Sequence, residues 1–101
     1  MNIVEVFLPL DRRDGQPVEG DLVKGIVAGL ADRFGGATAF SRGPAEGLWK
    51  QRTTIKRDRI IIVEVVVDQV DDAWWRDYRK RLEAEFEQDE IMIRVTPCRV
   101  I

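Results

Sequence analysis

Ten consecutive residues, Arg59-Ile60-Ile61-Ile62-Val63-Glu64-Val65-Val66-Val67-Asp68, are β-branched almost throughout and apolar on both alternating faces. A half-exposed strand alternates apolar with polar residues, whereas a strand covered on both faces reads as a near-continuous apolar run. Such a strand needs a layer on each side. A chain of 101 residues can supply one layer of helices, so the second layer is expected from another subunit. Residues 1–101 form one domain, long enough to bury a core without metal or disulfide.

Around this strand the periodicity changes in step. Residues 2–10 alternate, with Val4, Val6, Leu8 and Leu10 pointing one way and Ile3, Glu5, Phe7 and Pro9 the other. Pro9 falls near the strand end, where a missing N–H does least harm. Residues 11–17 are charged, with Gly15 and Pro17 as punctuation, and read as a loop. From 21 to 34, Leu22, Ile26, Leu30 and Phe34 recur every four residues beside Val23, Val27 and Ala31, a helical stripe. Asp21 is the expected N-cap and Gly35 the left-handed stop. Gly25 and Gly29 each weaken that helix by about 1 kcal/mol relative to Ala, and their spacing suggests close approach to the sheet.

Residues 37–41 read as a short strand and 42–47 as irregular chain. Leu48 and Trp49 resume the extended run after a bulge, and 50–58 form a polar, mostly basic connection. Asp71 or Asp72 then caps a second helix with the stripe Trp75, Tyr78, Leu82 and Phe86, flanked by Trp74. Ile91, Ile93 and Val95 alternate with Met92, Arg94 and Thr96 in a last strand. The order β-α-β-β-α-β predicts an α+β, ferredoxin-like fold. It is a four-stranded antiparallel sheet with two helices on one face, in spatial order last, first, third, second.

In the 59–68 strand the odd positions Ile61, Val63, Val65 and Val67 carry no charge and are assigned to the helices. Ile60, Ile62, Glu64 and Val66 then lie on the bare face, joined by Ile3 and Phe7 and by Met92, Arg94 and Thr96. Leaving such a patch in water forfeits about 1.5–3 kcal/mol per large apolar side chain, and contiguous patches of this kind mark interfaces. A homodimer packed sheet against sheet, or edge against edge, is the expected assembly. Glu5, Glu64 and Arg94 interrupt the apolar surface on three neighbouring strands. Paired carboxylates beside a guanidinium suit proton transfer or the grip of a polar ligand. A structural ion pair is the simpler alternative, because a buried carboxylate without a partner is costly.

Composition narrows the chemistry. Sixteen Lys plus Arg against eighteen Asp plus Glu leave a net charge of −2, which disfavours nucleic acid as a partner of the whole surface. With no histidine there is no Ser-His-Asp triad, His-ligated zinc or imidazole base. The single Cys98 forms no internal disulfide. No cofactor motif is present, and no catalytic residue is assigned. Neither a signal-peptide pattern nor a membrane-length apolar run occurs, so a cytoplasmic protein is expected.

Two loops carry the remaining signals. The stretch from Phe34 to Trp49 reads Phe-Gly-Gly-Ala-Thr … Pro-Ala-Glu-Gly-Leu-Trp. Its glycines permit close backbone approach, but they follow a helix instead of preceding one, the wrong polarity for an anion. This pattern resembles an uncharacterised bacterial family of small proteins with Phe-Gly-Gly-x-Thr … Pro-Ala-x-Gly-x-Trp. The likeness spans most of the chain, the Trp-Trp helix included, and implies a ferredoxin-like fold without implying an activity. Trp49 near the sheet edge, with Phe40, Arg42 and Glu46, is a candidate pocket wall. Lys50, Arg52, Lys56, Arg57 and Arg59 place five positive charges in ten residues, opposed by Asp58. A basic hairpin of this kind can contact phosphate. The layout resembles nitrogen-regulatory PII-like signalling proteins, which share the fold and carry a long loop between the second and third strands. The shared features are Gly36-Ala37-Thr38 and the apolar strand ending at Asp68.

Three functions are thus expected in order. First is a non-enzymatic oligomeric binding or regulatory module assembled through the sheet, taking a small anionic ligand. Second is a cofactor-free enzyme in a dimeric α+β barrel, of monooxygenase or isomerase type, with Glu5 or Glu64 as proton shuttle. Arg94 would hold the substrate there, and Trp49 or Phe7 would supply apolar walls. Third is nucleotide or nucleic-acid contact through Lys50, Arg52, Lys56 and Arg57.

Overall fold

The computed structural model describes residues 1–42, 49–51, 54–56 and 59–101. Four strands, β1 (Asn2–Pro9), β2 (Thr38–Arg42), β5 (Ile60–Val67) and β6 (Ile93–Pro97), form one antiparallel sheet in the order β2-β5-β1-β6. Two helices, α1 (Gly20–Phe34) and α2 (Asp72–Glu85), complete the ferredoxin-like α+β fold. The two most apolar strands, β1 and β5, hold the centre, where both edges of each are hydrogen-bonded. A separate two-stranded ribbon, β3 (Trp49–Gln51) with β4 (Thr54–Lys56), lies between β2 and β5 in sequence. Trp49 therefore starts a ribbon of its own and does not resume β2. The expected continuation of the strand after a bulge is not formed by Trp49, because the backbone of 49–51 pairs with 54–56; Leu48 lies outside the described residues.

The helix side of the sheet is closed by alternation. Val4, Val6 and Leu8 of β1 and Val63, Val65 and Val67 of β5 are buried against Val23, Ile26 and Leu30 of α1 and Trp75, Tyr78 and Leu82 of α2. Phe86 and Ile91 seal the end of that layer. The odd-numbered face of β5 is thus the covered one.

Helix ends follow local chemistry. The Asp71 side chain accepts a hydrogen bond from the Trp74 N–H at 3.1 Å, a true N-cap. Gly35 closes α1 at φ 77°, where a Cβ would be strained. At the start of α1 the cap position is Glu19, with no side-chain cap bond, so Asp21 sits inside the first turn and favours the helix dipole without capping it. Gly25 and Gly29 overturn a second expectation. Both lie on the exposed face of α1, and an added Cβ at either would meet nothing within 4 Å. Their spacing therefore reflects no close helix–sheet approach.

Between the helices Phe34 stacks on Trp75 at 5.1 Å and the Arg33 guanidinium covers Trp74 at 4.2 Å, while within α2 Trp74 stacks on Tyr78 at 4.9 Å. Burial pushes the Tyr78 hydroxyl up to about 12, with Arg81 pulling the other way. The stability this protects is complete below the free phenol value of 10.0 and is lost as the pH rises through about 12.

Two outcomes follow from these placements. Gly25→Ala and Gly29→Ala should each raise stability by about 0.5–1 kcal/mol, read as a higher thermal midpoint; a lower one would mean that the outer face of α1 is packed. Tyr78 is the sole tyrosine, so ultraviolet phenolate absorbance should titrate as a single step near 12, with a step near 10 showing an open ring.

Candidate functional site

The sheet face opposite the helices is ordered in rows by the strand register. Glu5 of β1 lies opposite Glu64 of β5 on one side and Arg94 of β6 on the other, and Thr38 of β2 lies opposite Glu64. One polar row, Arg94-Glu5-Glu64-Thr38, thus crosses the sheet. On one side of it Phe7 is opposite Ile62, which is opposite Phe40, and Met92 accepts the Phe7 N–H at 3.0 Å. On the other side Ile3 faces Val66 and Thr96.

Within the polar row Arg94 Nε donates to Glu5 Oε1 at 3.0 Å, while its Cζ lies 5.2 Å from the Phe7 ring centre. The Glu5 side chain is 16 % exposed and that of Arg94 54 %. The Glu64 side chain shares the row but makes no ion pair or hydrogen bond with the described residues. The geometry therefore holds one carboxylate neutralised by one half-open guanidinium. Phe40, Val66 and Met92 around it are 47 %, 39 % and 52 % exposed. Ile62 is buried although it lies on this open face, because it sits between the rings of Phe7 and Phe40 in the register.

The remaining sequence-based candidates separate from this row. Arg42 ends β2, its backbone opposite Ile60. Trp49 and Lys50 fall on β3 and Lys56 on β4, with Trp49 opposite Lys56. Arg52, Arg57 and Glu46 lie outside the described residues. Among the described residues no group of three or more His, Cys, Asp or Glu side chains is gathered to hold a metal ion. No helix among them is long and apolar enough to cross a membrane.

A second feature was not legible as a site in the sequence. At the end of the sheet, where β1 leaves and β5 and β6 enter, a cleft of about 550 Å³ opens, lined by the apolar Phe7, Ile60 and Met92 and by the charged Asp11, Arg13 and Arg59. The loop following β1 closes as a tight turn, with an isolated bridge between Asp11 and Pro17. Val18 N–H bonds Leu10 O, Arg12 N–H bonds Gln16 O, and Gly15 at φ 84° closes the turn onto Arg12 O. Only a residue without Cβ takes that φ without strain.

This hairpin aims two arginines at the end of α2. Arg12, its side chain 17 % exposed, donates to Glu85 O at 2.9 Å and to Glu19 Oε2 at 2.6 Å, and approaches Glu87 Oε2 at 3.5 Å. Arg13 Nε donates to Glu87 O at 3.1 Å and its NH1 to Asp89 Oδ1 at 2.6 Å. Glu87 holds a left-handed φ of 51°, a conformation costing a non-glycine residue roughly 1–3 kcal/mol. Arg59 grips Asp11 through two bonds, Nε to Oδ2 at 3.1 Å and NH2 to Oδ1 at 2.6 Å. The Arg59 guanidinium holds the Asp11 carboxyl below its ordinary value, and its own backbone and then Arg12 do the same for Glu19. Both pairs accordingly support the fold above the usual carboxylate range and lose that support as the pH falls through the lowered values.

No protein-family model matches the chain, and no curated protein or solved structure matches it either.

Because Arg12 reaches a helix-end carbonyl from a shielded position while Arg13 pairs on the open surface, the two should separate in a thermal melt. Arg12→Ala should lower the midpoint clearly, and Arg13→Ala should leave it nearly unchanged. Equal losses would show that the shielded network contributes no more than an exposed pair.

Proposed function

We propose that the protein is a non-enzymatic binding module that acts as a homodimer, two copies joined through the open faces of their sheets. The observation that carries this reading is the contiguous apolar surface around the polar row, with Phe40, Val66 and Met92 left open to water. Ile3, Phe7 and Ile60 extend that surface across the neighbouring strands.

The charge order supports a second copy of this chain as the covering layer. Across the polar row the signs run positive at Arg94, then negative at Glu5 and Glu64. A two-fold axis along β1 sets each Arg94 against the partner's Glu64 and superposes the apolar rows on themselves. An axis along the row would set Arg94 against the partner's Arg94, which like-charge repulsion opposes. Aligned strands also suit face-to-face packing of twisted sheets. A cytoplasmic setting accords with this reading, since the free Cys98 carries no disulfide.

Light scattering on the eluted protein at micromolar concentration should give twice the chain mass. Val66→Lys, which puts a charge into the apolar row without touching the helix-side core, should give the single-chain mass with an unchanged circular dichroism spectrum. A wild-type protein that runs as a monomer overturns the proposal.

A further inference from the structure

The arginines of the cleft are anchored without being used up. Arg59 spends Nε and one NH2 hydrogen on Asp11, and Arg13 spends Nε and one NH1 hydrogen on Glu87 and Asp89. A guanidinium carries five N–H donors, and these contacts use two on each. Both side chains stay open to solvent, Arg59 at 51 % and Arg13 at 62 % exposure. The residues lining the cleft include Arg12, Arg13 and Arg59 beside Asp11 and Glu90. Phe7, Ile60 and Met92 give the same lining an uncharged, apolar part. Cleft volume falls in the range of small-molecule sites, which combine apolar walls with a few convergent polar groups.

We propose that this cleft binds a small organic acid with an apolar or aromatic body. Its carboxylate meets the free edges of Arg59 and Arg13, and its body lies against Phe7, Ile60 and Met92. Planar guanidinium forks match carboxylate oxygens in pairs. Because Asp11, Asp89 and the Glu87 carbonyl already fix those forks, less side-chain freedom is lost on binding. The left-handed turn at Glu87 is what presents that carbonyl to Arg13. Inorganic phosphate would satisfy the donors but leave the apolar wall wet, and a neutral arene would do the reverse. The site uses neither Glu64 nor Arg94, but its apolar wall of Phe7, Ile60 and Met92 is part of the open face proposed for pairing, so the single-chain Val66→Lys protein is titrated beside the wild type.

The test is a nuclear magnetic resonance titration of the isotope-labelled full chain with phenylbutyrate, phenylbutanol and inorganic phosphate. Phenylbutyrate should give saturable shifts centred on the amides of residues 11–13, 59–60 and 92. The alcohol and phosphate should each bind at least about tenfold more weakly. Arg59→Gln and Arg13→Gln should each weaken phenylbutyrate binding by about tenfold, and Lys24→Gln, on the exposed side of α1, should leave it unchanged. Arg13→Gln keeps the Asp11–Arg59 pair, so its result does not depend on that pair's contribution to folding. Absence of saturable shifts overturns the proposal. So does binding of the alcohol or of phosphate as tight as that of the acid, or wild-type affinity in both cleft variants.

Discussion

Everything in this fold depends on covering β1 and β5, the two strands that are apolar on both faces. Their helix-side residues, Val4, Val6 and Leu8 with Val63, Val65 and Val67, are almost completely withdrawn from water. At about 25 cal/mol per Å² of apolar surface removed from water, burial of this kind is the dominant favourable term in folding. It also fixes the register, since a slip by one residue would carry Glu5 and Glu64 into the helix layer and expose the valines. The central places of β1 and β5 follow, because only there are both edges of a strand paired. The same argument leaves the opposite face unresolved within one chain. Both helices are spent on one side, and the other side keeps its phenylalanines, isoleucines and Met92.

The polar row is the exception that makes the open face specific. A wholly apolar face could slide or turn against any greasy surface. In the proposed dimer, one carboxylate–guanidinium pair with a further carboxylate beside it would reduce the allowed orientations, at some cost in stability. Glu5 sits on the middle strand of that row, so its Arg94 contact also ties β6, a short edge strand, to the sheet by a side-chain bond as well as by the backbone.

Periodicity made most of this legible in the sequence. The alternation in β1, the i+4 stripes in both helices and the unbroken run in β5 dictated the element order, the strand order and the sorting of Val63 and Val65 from Glu64. Asp71 and Gly35 announced their caps because capping is a local matter of one side chain or one φ. Three features escaped for the opposite reason. The outward direction of Gly25 and Gly29 depends on the phase of the helix against the sheet, and glycine adds nothing to a hydrophobic stripe from which that phase could be read. The pairing of 49–51 with 54–56 is a short-range choice between two partners, and the local sequence is polar enough to suit either. Arg12 and Arg13 read as ordinary loop charges and Arg59 as one of five in a basic stretch, since their partners Glu85, Glu87, Asp89 and Asp11 are brought up only by the tertiary fold.

Those arginines do a task that the helices cannot do for themselves. The last turn of α2 carries no basic residue, so its carbonyls and the negative end of its dipole lack a cation from their own helix. Arg12 supplies one from the hairpin after β1, donating to Glu85 O, and Gln88 returns a bond from the α2–β6 turn to Asp11 O at 2.9 Å. Asp11 in turn accepts from Arg59 at the entry to β5. The chain of contacts runs from helix end to hairpin to strand, joining three segments distant in sequence. Isolated surface ion pairs contribute little, but these share partners with backbone carbonyls and with one another, so losing one loosens the neighbours' geometry. Loop residues held this firmly against the ends of a sheet behave as part of the scaffold, which is the condition under which a cleft between loops keeps a shape that a ligand can recognise.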